Sequence, residues 1–209
     1  MTDPHPIIPA SDTAAIPSML ATALVYAERG WPVVPLHTVD PGGTCSCSSE
    51  KQCENPGKHP MTLHGYKDAT RDPEEIKRWW TAHPTANIGI PTGAISGFDV
   101  LDVDTRSDGD ESLADLESKL GLIPDTVESL TGGGGRHIFF QHHPGLRNMT
   151  AARMGIDIRA GGGYIVVPPS RHVSGRQYEW ELSSLPEEVE IKPWPADLLN
   201  ALCRDASVD

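Results

Sequence analysis

From Val127 onward the chain is divided by glycine into short β-rich runs. Val127 to Leu130, His137 to Gln141, Gly155 to Arg159 and Tyr164 to Val167 are four or five residues each, with Gly132 to Gly135 and Gly161 to Gly163 between them. Glycine turns the backbone where other residues cannot and weakens any regular element it interrupts, so these runs read as strands joined by turns. The first half instead alternates helix and strand. That order predicts an α+β fold with a mixed or antiparallel sheet flanked by helices.

Residues 1 to 17 are proline-rich and polar and are expected to form a loose arm. Order is expected from Ser18, where Leu20, Leu24 and Ala27 fall on one helical stripe and Gly30 follows as a stop. Trp31 to Leu36 reads as a strand. Asp72-Pro73-Glu74-Glu75 starts a second helix, with Asp as N-cap and Pro in the first turn, leading to Trp79 and Trp80, of which at least one should close the core. Asn87 to Gly93 reads as a strand with a glycine turn, and a helix over about Asp110 to Leu120 carries Leu113, Leu116 and Leu120 on one face. Pro195 to Arg204 closes the chain as a helix. Nothing divides residues 18 to 209, so one domain is expected there, with residues 37 to 66 as an insert. That insert has Gly, Pro, Ser and Cys but no periodicity, so it needs something other than an apolar core to order it.

No run approaches 18 apolar residues, and the N-terminus lacks the basic-then-apolar order of a secretion signal. A soluble cytoplasmic protein without a membrane partner is expected. The net charge of −12 argues against coating nucleic acid by bulk electrostatics. Locally the balance reverses: between Thr131 and Arg176 there are six arginines and one carboxylate, Asp157. A triphosphate or a nucleic-acid end held on metal fits that balance.

Phe98-Asp99-Val100-Leu101-Asp102-Val103-Asp104 is a strand whose alternation puts Asp102 and Asp104 on one face. Surface strands often carry two acids for solubility alone. Here the flanking Val100, Leu101 and Val103 suit a central strand, where unpaired carboxylates are costly. Two such charges about 4 Å apart repel by roughly 4 kcal/mol at an effective dielectric near 20, which favours a cation between them. Ile156 and Ile158 turn Asp157 to the opposite side of its own strand in the same way. Together Asp102, Asp104 and Asp157 form a hard oxygen set for two divalent cations about 3.5–4 Å apart, Mg²⁺ or Mn²⁺ rather than zinc. Between them Gly132 to Gly135 leads into Arg136-His137. This is either a flexible hairpin or a place where the backbone approaches a ligand with Arg136 and His137 projecting toward it. His142 and His143, on opposite strand faces, are expected at the surface.

Cys45, Cys47, Cys53 and His59 supply three thiolates and an imidazole, an acceptable tetrahedral Zn²⁺ set for the insert, with His64 as the alternate fourth ligand. A reduced loop without metal is the other reading.

The ordered set Leu101-Asp102-Val103-Asp104, Gly135-Arg136-His137 and Ile156-Asp157-Ile158, followed by Gly-Gly-Tyr and Pro-Pro-Ser, resembles the three motifs of the archaeo-eukaryotic primase superfamily. It is most similar to the bifunctional primase–polymerase (prim-pol) N-terminal domain of plasmid and phage replication proteins, over about Ala23 to Trp180. The resemblance implies a primase-like catalytic core and a DNA primase/polymerase that adds nucleotides to a primer strand or starts one. It implies Asp102, Asp104 and Asp157 as catalytic Mg²⁺ or Mn²⁺ ligands, and Gly135, Arg136 and His137 as nucleotide contacts, His137 on the phosphates. Arg159, on the face of Asp157, is a further candidate triphosphate contact. Similar sequences have a cysteine-rich insert ending in Gly-Lys-His-Pro, here Gly57 to Pro60, which supports structural zinc. Single-stranded DNA template and nucleoside triphosphates are the implied partners, and a helicase, C-terminal or separate, is left open. Two rivals stand: a metal-dependent nucleotide-sugar transferase with an Asp-x-Asp site, and a non-catalytic nucleotide- or single-strand-binding replication module.

Overall fold

A computed structural model describes residues 18–205. The expected N-terminal arm lies outside them. Ser18 caps α1 (Met19–Glu28), its hydroxyl accepting the Ala21 N–H at 3.2 Å, and Gly30 at φ +93° ends it. The helix buries Ala23 and Tyr26, while Leu20, Leu24 and Ala27 are only partly covered. The stripe is rotated because Tyr26, polar at its tip, packs its ring on Trp31 and Trp180 and donates its hydroxyl to the Pro168 carbonyl at 2.7 Å.

After β1 (Val34–Leu36), the insert carries two single turns of 3-10 helix. α2 (Pro73–Ala82) starts with the Asp72 carboxylate accepting the Glu74 N–H, and buries Ile76 and Trp80. Trp80 is the core tryptophan, its indole N–H donating to the Ala86 carbonyl at 3.0 Å. Next come β2 (Asn87–Pro91), β3 (Phe98–Val103) and α3 (Gly109–Leu120), which buries Leu113 and Leu116 but leaves Leu120 exposed. The strand-rich half holds β4 (Glu128–Leu130), β5 (Arg136–Gln141), β6 (Met149–Arg153), β7 (Ile156–Arg159), β8 (Tyr164–Val167) and β9 (Glu179–Trp180), and α4 (Ala196–Asp205) follows.

Among the described residues these strands form two antiparallel sheets, ordered β1-β2-β8 and β6-β7-β3-β5-β4-β9. The fold is α+β with four α-helices, and its sheets are antiparallel rather than mixed. Alternation along β3 and β5 explains both cores. Phe98, Val100 and Phe139 face α1, α2 and the small sheet, around Trp31. Leu101, Val103, Ile138 and Phe140 face α3 and α4, where Trp194 stacks on Phe140 at 4.2 Å. β3 is therefore buried on both faces.

Buried Asn87, on β2, ties the insert to the turn after β8. Its amide N–H₂ donates to the Gly57 and Arg171 carbonyls, both at 2.8 Å, and its oxygen accepts the Arg171 N–H at 2.8 Å. Asn87→Ala strands those backbone groups, so a loss of about 2–4 kcal/mol is expected. Calorimetry should show the melting midpoint lowered by about 4–16 °C.

Candidate functional site

The register of β3 brings the site together. Asp102 pairs with His137 of β5 on one side and with Asp157 of β7 on the other. Side chains directly opposite on antiparallel strands share a face, so a carboxylate, an imidazole and a second carboxylate stand in one row across three strands. His137 Nε2 lies 3.5 Å from Asp102 Oδ1, and its buried Nδ1 has no hydrogen-bond partner among the described residues. Arg159, two residues beyond Asp157, reaches over the row: its Nε donates to Asp102 at 3.0 Å and its Nη2 to Asp157 at 2.6 Å. Arg159 thus sets a guanidinium between these two carboxylates. Burial alone would raise the pKa of Asp102, but His137 and Arg159 outweigh it and lower it to about 2, so the group is ionised at neutral pH.

Asp104 stands just past the end of β3. Its carboxylate caps the following turn by accepting the Arg106 N–H at 3.0 Å and also holds the Arg106 guanidinium at 3.1–3.2 Å, which lowers its pKa. Its backbone N–H donates to Gly155 O at 2.8 Å. Gly155, at φ +69°, is required there, because a Cβ would lie 2.3 Å from Ser107 O and 2.4 Å from Gly109 N. That close approach brings the Asp104 turn beside the strand of Asp157.

All three aspartates line one cavity of about 410 Å³, along with His137, Arg159 and Arg106. The volume falls within the roughly 300–1,000 Å³ typical of small-molecule sites. Lys58 and Tyr178 also line it. Burial lowers the Lys58 pKa, while the fields of Asp102 and Asp104 work against that shift. Nearby His172 is lowered to about 4, first by burial and then by Lys58, Arg106 and Arg176. This corner of the cavity is therefore cationic beside the acid row. Asp102 and Asp157 already converge on one cation and offer hard oxygen donors, which could hold a divalent metal ion.

Two expected contacts sit elsewhere. Arg136 precedes His137 on the same strand, so it points to the opposite face, where it forms a bidentate pair with Glu128 at 2.6 and 2.8 Å. Gly135 is not among the cavity-lining residues, and its backbone is closely packed: a Cβ there would meet Val103 O at 2.2 Å. Of the glycine run, Gly133 lines the cavity. Arg136→Ala removes the pair with Glu128 and leaves the cavity lining unchanged. Because Arg136 is more than a third exposed, screening holds the stability loss to about 1 kcal/mol, measurable by urea unfolding.

Cys45, Cys47, Cys53 and His59 converge with all ligand atoms within 4.8 Å of one another, the one such group of three or more His, Cys, Asp or Glu among the described residues. Three soft thiolates and an imidazole form a donor set that could hold a metal ion, and zinc suits it. Cys45 is buried, and His59 Nε2 lies 3.5 Å from its sulfur and 3.4 Å from that of Cys53. His64 is not part of the group: it is exposed and pairs with Asp68 at 2.9 Å. His142 is not free surface either, since its Nδ1 lies 3.0 Å from fully buried Asp99.

Sequence reasoning missed Lys58, Arg106 and Tyr178. Arg106 was signalled by its place two residues after Asp104, and Lys58 by its place beside a candidate metal ligand. Of the six arginines between Thr131 and Arg176, Arg159 alone lines the cavity. Among the described residues no helix is long and apolar enough to cross a membrane. The model of the family described as bifunctional DNA primase/polymerase, N-terminal, matches residues 23–197. No curated protein matches the chain.

Proposed function

Because this chain belongs to the bifunctional DNA primase/polymerase N-terminal family, we propose that the Asp102 row is a template-directed nucleotidyl-transfer site, in a primase-like catalytic domain spanning residues 18–209. The observation that carries this reading is the register of β3, which sets Asp102 between His137 and Asp157 in the wall of a cavity that Lys58, Arg106 and Arg159 also line. A primer 3′-hydroxyl attacks the α-phosphate of an incoming nucleoside triphosphate, the P–O bond to pyrophosphate breaks, and the template strand selects the base.

Asp102, Asp104 and Asp157 are the ligands for two Mg²⁺ or Mn²⁺ ions, which when bound supply charge neutralisation for the hydroxyl and the leaving pyrophosphate. Arg159 and Arg106 now neutralise these carboxylates, and both guanidinium groups are placed to turn to phosphate oxygens when a nucleotide enters. His137 is held rigidly by its burial between the acids and Tyr178, whose ring centroid lies 6.1 Å away, and orients the phosphates. Arg136 is left out of this assignment because it faces α3. The Cys/His cluster is read as structural zinc ordering an insert that lacks a core. Activity in plasmid- or phage-type replication, with single-stranded template and a helicase as partners, belongs to the same reading.

The nucleotide-sugar rival accounts for Asp102 and Asp104 but not for the in-register His137 and Asp157. Offering the protein a primed template with α-labelled nucleoside triphosphate, and in parallel a labelled nucleotide sugar with acceptors, separates the two. Label should enter the primer strand. Sugar transfer without primer labelling would overturn the proposal, and binding of template without either transfer would leave the non-catalytic module.

A further inference from the structure

Lys58 is the one residue of the 37–66 insert that lines the 410 Å³ cavity. It also lines an adjoining cavity of about 320 Å³ together with His59, Asp102 and Arg159, so it joins the Cys/His cluster to the acid row. Its backbone is fixed on every side. The Lys58 N–H donates to Asn55 O at 3.2 Å, and Tyr164 Oη donates to the Lys58 carbonyl at 2.9 Å. The preceding Gly57 donates its N–H to the sulfur of Cys45 at 3.5 Å and offers its carbonyl to Asn87 at 2.8 Å. The following residue is His59, a member of the cluster.

The cations of the cavity differ in one respect. Arg106 is matched to Asp104, and Arg159 to Asp102 and Asp157. Lys58 has no such matched ion pair among the described residues, although the charges of Asp102 and Asp104 act on it across the cavity. A half-buried cation that shares its carboxylates with two arginines gains most when a further anion arrives to meet it. An ammonium on a flexible stem is a compact point charge well suited to a terminal phosphate oxygen.

We propose that Lys58 is a positioning residue that binds the triphosphate of the incoming nucleotide, and that the Cys/His cluster serves this contact by fixing Lys58 over the acid row. The inference rests on the nucleotidyl-transfer reading and adds to it a role for the insert. It makes binding depend on both the lysine charge and the metal, through one shared contact.

Calorimetric titration with a nucleoside triphosphate and Mg²⁺, run on wild type, Lys58→Met and Lys58→Arg, tests it. Lys58→Met should weaken triphosphate binding by about ten- to a hundredfold, as loss of a charge-assisted hydrogen bond does, while still carrying about one metal per chain in the cluster. Lys58→Arg should restore most of the affinity, and the corresponding monophosphate should show a smaller penalty. Stripping the cluster with a chelator that leaves Mg²⁺ in place should weaken wild type, yet weaken Lys58→Met by less than about twofold further, because the same contact is already gone.

The inference fails if Lys58→Met binds triphosphate as wild type does, if the penalty is equal for monophosphate, if chelation and substitution add, or if Lys58→Met loses the cluster metal. Primer extension tells that failure from failure of the underlying reading. Wild type that extends primers, with Lys58→Met at unchanged KM, sinks the role of Lys58 alone. Wild type that neither binds nor incorporates nucleotides sinks both.

Discussion

Asp102→Asn is expected to lower nucleotide incorporation about a thousandfold or more, equivalent to about 4 kcal/mol of transition-state stabilisation, in a primer-extension assay. The substitution keeps volume and shape, so β3 retains its pairing with β5 and β7. What it removes is the carboxylate in the middle of the row, the one that touches both His137 and Arg159. No other group can take its place, since Asp157 lies across the strand gap and Asp104 sits past the strand end on Arg106. Stability should fall by less than activity does. Breaking a buried ion pair costs about 3–5 kcal/mol when it leaves a charge alone, but Arg159 keeps its 2.6 Å bond to Asp157, so a loss nearer 1–2 kcal/mol is expected. A thermal melt beside the extension assay separates the two effects. Incorporation within tenfold of wild type would remove Asp102 from the chemistry.

Cys45→Ser is expected to have the largest effect on the insert. Cys45 is the buried member of the cluster, and a serine hydroxyl does not ionise to replace its thiolate. The segment around it buries little else, chiefly Val39 and Gly57, so on the proposed reading a bound metal would supply most of its order. Metal analysis should show content falling from about one per chain to a small fraction. With a loss of at least about 3 kcal/mol, the melting midpoint should drop by roughly 6–12 °C. His64→Ala is the control: it is exposed and bonded to Asp68, so metal content should not change. Retention of metal by Cys45→Ser, or its loss from His64→Ala, would contradict the assignment of the four ligands.

The acid row was legible because strand alternation is a strict code. Apolar residues at 101 and 103, and again at 156 and 158, force Asp102 and Asp157 to the other face, and burial confirms the first four. The same code puts adjacent Arg136 and His137 on opposite faces, and of the two only His137 lines the cavity. Asp104 was placed by alternation on a strand that in fact ends at Val103, so its carboxylate reaches the cavity from a capped turn. Lys58 and Arg106 were hidden for a different reason. Arg106 sits in a single 3-10 turn capped by Asp104, too short to show a period, and Lys58 is brought to the cavity by the convergence of the Cys/His group, a tertiary event. Two strands went unseen: β6, whose pairing with β7 is irregular, and β9, only two residues long. Short or irregular pairing leaves little period in a sequence.

The most direct test of the nucleotidyl-transfer site is single-nucleotide incorporation on four primed templates that differ only in the base opposite the next position, with Mg²⁺ or Mn²⁺ present. The account expects wild type to add, on each template, the nucleotide complementary to that base, releasing one pyrophosphate per addition, and Asp102→Asn to add none above background. Addition that ignores the template base, or undiminished addition by Asp102→Asn, would contradict it.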